Sequence, residues 1–149
     1  MAGNKIQFDC QRRDDYGNAL EVIPSIDGIP LTDLIDRFET EAGMQPAGDA
    51  YGGLFPQLFR LGPMEDYFHG RSADVLGMTS LLGCGCGELG CWPLTARIAV
   101  TDELVIWDSF QQPYRMERDY TGFGPFQFDR IHYDDAVQAL SADIRSDNT

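Results

Sequence analysis

Residues 83–92, GCGCGELGCW, put three cysteines and four glycines into ten positions. Glycine gives up more backbone freedom on folding than any other residue and weakens helix and strand interiors alike. The stretch therefore has to be a tight connection. Before it, Thr79 to Leu82 is a short apolar run. After it, Pro93 to Thr101 and Leu104 to Asp108 are strand-like runs separated by Thr101-Asp102-Glu103, the pattern of a β-hairpin. The connection is expected to join two strands. Gly85-Cys86-Gly87-Glu88-Leu89-Gly90 also spells G-x-G-x-x-G. That motif cradles a pyrophosphate only where it opens a helix, and Trp92-Pro93 followed by a strand pattern speaks against one.

Three chemistries suit the cysteines. Cys84, Cys86 and Cys91 form C-x-C-x4-C, a possible set of thiolates for one zinc ion. C-x-C is tighter than the usual zinc spacing, and a fourth ligand is missing locally. Cys10, His69, His132, Glu88 or water are the candidates. Alternatively Cys86 and Cys91 pair across a hairpin mouth as a labile disulfide. The plainest reading keeps them free, with glycines making the turn and no cofactor bound. Cys10 itself falls beside Ile6 and Phe8 on one face of an alternating stretch and reads as core.

The rest of the chain predicts an α+β fold. Residues 4–10 alternate cleanly, and Ala19 to Ile26 continues as a second strand, with Leu20 and Val22 inward and Pro24 suited to an edge or a bulge. Asp27-Gly28 marks a hairpin into Ile29-Pro30-Leu31. A helix is expected from Thr32, whose hydroxyl can cap it, to Gly43, with Leu31, Leu34, Ile35, Phe38 and Ala42 on one stripe. Residues 44–75 read as a long loop with one or two helical turns. Phe126-Gln127-Phe128 is a short strand, and Asp129 can cap a last helix carrying Tyr133, Ala136, Val137, Leu140 and Ile144. The sum is one domain over residues 1–149: a mostly antiparallel sheet of about six strands, two main helices on one face, and a tail fraying from residue 145.

Charge narrows the function classes. There are 24 Asp and Glu against 11 Lys and Arg, a net charge of −13, and only Lys5 among the bases is lysine. The acids are spread evenly, 13 in residues 1–75 and 11 beyond. A surface of that sign repels phosphate backbones, which argues against nucleic acid. It suits solubility or attraction to a basic protein partner. No apolar run is long enough to span a bilayer, and the N-terminus lacks a secretory h-region, so a cytoplasmic protein is expected. Catalytic groups are scarce. There are two histidines, His69 in an aromatic stretch and His132 expected on the surface, and no hydrolase or metalloprotease motif, so no catalytic residue is assigned. The acid pairs Asp14-Asp15, Asp102-Glu103 and Asp134-Asp135 sit at turns and a helix start, where solvated acids are ordinary. Aromatic residues from Tyr51 to Phe126 gather in loops, as a ligand groove or as covers of the core.

The run LLGCGCGELGCWPLTARIAV, then VIWDSFQQPYR, then FGPFQFDRIHYDDAVQAL resembles a family of small uncharacterised bacterial proteins. These carry C-G-[DE]-x-G-C before a β-hairpin, a tryptophan on the return strand, a Phe-x-Phe segment and a C-terminal helix with an early tyrosine. The matching positions are Cys86, Gly87, Glu88, Gly90 and Cys91, then Trp107, then Phe126, Phe128 and Tyr133. The resemblance implies a single soluble bacterial domain and supplies no activity. Two functions follow from the residues: a non-enzymatic acidic interaction domain, immunity- or antitoxin-like, or a zinc or thiol-redox domain built on Cys84, Cys86 and Cys91.

Overall fold

The computed structural model describes residues 3–44, 51–73, 77–84, 93–113, 115 and 117–147. The fold is α+β. Strands β1 (Ile6–Arg13) and β2 (Ala19–Ile26) pair antiparallel in unbroken register, from Ile6 opposite Ile26 to Arg13 opposite Ala19. The alternation holds. Ile6 and Phe8 are buried, Cys10 is half-buried against the core, and Gln7 and Asp9 face water. Asp27 and Gly28, both with positive φ (54° and 83°), form the two-residue turn into β3 (Ile29–Pro30). Such turns match the twist of the strands they join.

Pro24 is not at an edge and makes no bulge. It lies buried in β2 opposite Phe8. On the side away from β1, Val22 exchanges both backbone bonds with Leu54, at 2.7 and 2.9 Å. Pro24 points its nitrogen to that same side, where β3 reaches only Ser25 and Ile26. Its missing N–H falls between the two partners, so no ladder bond is lost.

Helix α1 (Leu31–Glu41) starts one residue earlier than expected, directly after Pro30, so Thr32 is a helical residue and not the cap. Gly43, at φ 76°, ends it, its N–H donating to Thr40 O at 3.1 Å. Leu31, Ile35 and Glu39 are its buried residues, whereas Ala42 is exposed.

The remaining strands are β4 (Tyr51–Gly52), β5 (Thr79–Cys84), β6 (Leu94–Val100), β7 (Leu104–Gln111) and β8 (Phe126–Asp129), with the short helix α2 (Met64–Tyr67) between β4 and β5. They form a second antiparallel sheet in the order β4-β5-β6-β7-β8. The expected single sheet of about six strands is thus two sheets, of three and five. Isolated bridges link them at two places, Val22 to Leu54 and Asn4 to Phe128. A two-residue strand and single bridges carry too little periodicity to be read from sequence.

Helix α3 (Arg130–Asp147) is the last described element, and residues 148 and 149 of the tail expected to fray from residue 145 lie outside the described residues. Its cap is the expected one, Asp129 Oδ2 accepting from the His132 N–H at 3.1 Å. Tyr133, Val137 and Leu140 enter a core drawn from both sheets. Phe8 meets Phe68 at 4.5 Å between ring centres, and Trp107 meets Phe128 at 5.1 Å. The polar tips of Trp107 and Tyr133 are both served. Trp107 Nε1 donates to Tyr133 Oη at 3.1 Å, and that hydroxyl donates to Phe68 O at 2.5 Å. Burial pushes the Tyr133 phenol up, so it remains a donor.

Candidate functional site

The cysteine-glycine stretch joins β5 to β6, which pair antiparallel with Leu82 opposite Leu94. It is therefore not the strand-to-helix turn that a dinucleotide would need. Cys84 ends β5 with its backbone paired to Tyr51. Cys86, Glu88 and Cys91 lie outside the described residues. Among the described residues, no group of three or more His, Cys, Asp or Glu is placed to hold a metal ion.

Of the residues considered as a fourth ligand, His69 and His132 have other partners. His69 Nδ1 meets Glu65 O at 2.5 Å and Nε2 meets Asp134 Oδ1 at 2.7 Å, so both ring nitrogens are engaged. His132, expected on the surface, is partly buried with Nε2 3.2 Å from Ile6 N and 3.1 Å from Ile6 O. It ties α3 to the edge of β1. Burial, then the charges of Asp143 and Asp9, push the Cys10 thiol up to about 11. A thiol so raised is a poor nucleophile and a poor metal ligand at neutral pH. Asp134, read as a solvated acid, instead accepts from both His69 and Arg130.

The most polar buried cluster went unread in the sequence. Glu39 is 0% exposed at the last turn of α1. Its Oε2 accepts from Tyr51 Oη and Tyr120 Oη, each at 2.6 Å, and lies 3.4 Å from the Arg118 guanidinium. Gln112 Nε2 donates to Tyr51 Oη at 2.5 Å. Glu39 Oε1 and Gln112 Oε1 are buried without a hydrogen-bond partner. Burial and the bond to Glu39 push the Tyr51 phenol upward, and the same two causes act on Tyr120. The two hydroxyls are thus fixed donors, not titrating groups. The signal was the row Leu31, Ile35, Glu39, whose spacing of four carries the apolar face of α1 onto a carboxyl.

A second buried carboxyl, Glu21, straps the 51–55 segment to β2. It accepts from Gly53 N at 2.9 Å, Gln11 Nε2 at 2.7 Å and Arg13 Nη1 at 3.2 Å. Beside the first cluster, Arg118 and Tyr120 line an open cleft of about 470 Å³ together with Phe110, Phe123, Asp108 and Asp119. Hydrogen bonds from the Thr121 side chain and backbone hold the Asp119 carboxyl below its ordinary value. Asp108 takes Arg97 Nε at 3.2 Å. Among its described lining residues the cleft has no histidine, cysteine or lysine.

Charge is distributed unevenly in depth. Among the described residues, Arg13, Arg71, Arg97, Arg118 and Arg130 make ion pairs within the fold. Asp14, Asp33, Glu41, Asp102, Glu103, Asp135 and Asp143 are exposed. Among the described residues no helix is long and apolar enough to cross a membrane. Comparison with protein-family profiles, curated proteins and solved structures returned no match.

Proposed function

We propose that this protein is a non-enzymatic acidic interaction domain that binds a basic protein partner, as an immunity or antitoxin protein does. The observation that carries this is the direction of the charges. Arg13, Arg71, Arg97, Arg118 and Arg130 turn to acids of their own fold, while carboxyls crowd the exposed positions. With a net charge of −13, that leaves a surface on which negative charge predominates, which speeds encounter with a basic partner and disfavours an acidic one. The chemistry of the described side chains adds support. Cys10 is held protonated, His69 has both nitrogens engaged, and His132 is bound to Ile6.

The test is a panel of purified folded proteins, basic and acidic, titrated against the full chain at about 0.15 M salt with free polylysine as competitor. A saturable one-to-one complex with a basic protein, surviving polylysine and weakening as salt rises, is the expected result. Binding that polylysine strips entirely, or equal binding to acidic proteins, would refute the proposal.

A further inference from the structure

Resting on that reading, we infer that the partner docks at the end of the molecule formed by the β6–β7 turn and the first turn of α3. Large exposed apolar side chains are few among the described residues: Leu58, Val100 and Ile131. Two of them belong to this end. Val100, 37% exposed, is the last residue of β6, and Ile131, 74% exposed, is the second residue of α3.

The backbones that carry them are tied together. Arg130 N donates to Glu103 O at 2.9 Å, and Arg130 Nη1 donates to Thr101 O at 2.8 Å. Leu104 lies opposite Asp129 in the β7–β8 ladder. Asp102, Glu103, Asp129 and Asp135 are therefore brought to the same end, and all four are exposed. Arg130 does not offset them. Arg130 Nε is directed to Asp134 at 3.0 Å, which in turn holds His69.

Exposed aliphatic side chains at an end that also carries carboxylates supply both the apolar and the polar contacts that a protein–protein interface uses. Ile131 stands on a helix capped by Asp129, so little ordering entropy is lost when it is covered. The complementary face would present lysine or arginine around an apolar pocket. That chemistry selects a basic protein over a membrane, whose anionic headgroups these carboxyls repel.

The probe is a short amphipathic helical peptide of arginine and leucine, titrated into the isotopically labelled full chain at about 0.15 M salt and followed by amide chemical shifts. Shifts are expected to concentrate at residues 100–104 and 129–135. Ile131→Ser, and separately Asp102→Asn with Glu103→Gln and Asp135→Asn, are expected to weaken binding about tenfold, or about 1.4 kcal/mol. Asp14→Asn with Asp33→Asn and Glu41→Gln removes the same charge elsewhere and should change affinity less than about twofold. Thermal melts confirm that each variant is folded. Shifts mapping elsewhere, or equal weakening by both triple variants, would overturn this surface while leaving an acidic interaction domain standing. No binding of the peptide by the unmodified chain would overturn both.

Discussion

Glu39 Oε2 draws two tyrosine hydroxyls and the Arg118 guanidinium to one buried point. Glu39→Ala would deprive Arg118 of its buried counter-charge and leave two phenols without their acceptor. Breaking a buried pair from one side costs about 3–5 kcal/mol, and urea denaturation should register a loss of that size. Glu39→Gln keeps one acceptor and should cost less. Equal losses for the two would mean that shape, not charge, sets the price of change there. Cys10 gives a prediction of the opposite kind. With its thiol raised from 9.0 to about 11, the thiolate fraction at pH 8 falls by about a hundredfold. Alkylation at Cys10, followed by peptide mapping, should be slower in the native protein than in urea by about that factor. The sign for stability follows from the same shift. Folding favours the protonated thiol, so its contribution is complete below about pH 9 and is lost as pH rises through 11. Cys10 was legible as a core residue and packs against the core, but the role of Glu39 was not legible. Glutamate at the end of an apolar row reads as solvent-facing unless its partners are known, and Tyr120 is remote from it in sequence.

Elements with strict periodicity could be read in advance, and those held by single contacts could not. The alternation of β1 and the Asp129 cap of α3 are local facts. The strap at 51–55 depends on Glu21 reaching across to Gly53. A Cβ at Gly53 would stand 2.5 Å from Glu21 Cγ and 2.7 Å from Val22 O. Because the second is backbone, Gly53→Ala must displace the strap, and a loss above about 2 kcal/mol is expected in thermal or chemical melts. Asp129→Ala should cost about 1 kcal/mol as a lost helix cap, while Asp129→Asn, which caps as well, should be nearly neutral. The α2–α3 contact has its own pH dependence. Burial works against the Asp134 carboxylate, but hydrogen bonds from His69 and Arg130 outweigh it and hold the group below its ordinary value. Its contribution is present above the usual carboxylate range and is lost as pH falls through the folded value. His69→Gln should reduce that acid sensitivity in a pH series of melts.

The α+β class followed from hairpin spacing and two amphipathic stripes, yet the division into two sheets did not, because it is decided by contacts such as Val22–Leu54 between segments far apart in sequence. Charge acts at this scale as well. The ion pairs at Arg71–Asp66 and Arg97–Asp108 are solvent-exposed, and such pairs contribute about 0–1 kcal/mol each. Against them stands the mutual repulsion of a chain with a net charge of −13. Salt screens both, but the repulsion sums over the whole surface while the exposed pairs are few. Stability should therefore rise with salt at neutral pH, from about 0.02 to 0.5 M sodium chloride. For a chain of this size a gain of about 1 kcal/mol appears as about 2–4 °C in Tm. Choline chloride should serve equally well, which separates screening from binding of a particular cation. The gain should shrink as pH approaches the sequence pI of about 4.2, where the net charge vanishes. A Tm that falls with salt at pH 7 would mean that the internal pairs outweigh the surface repulsion, and with it the surplus charge on which recognition of a basic partner rests.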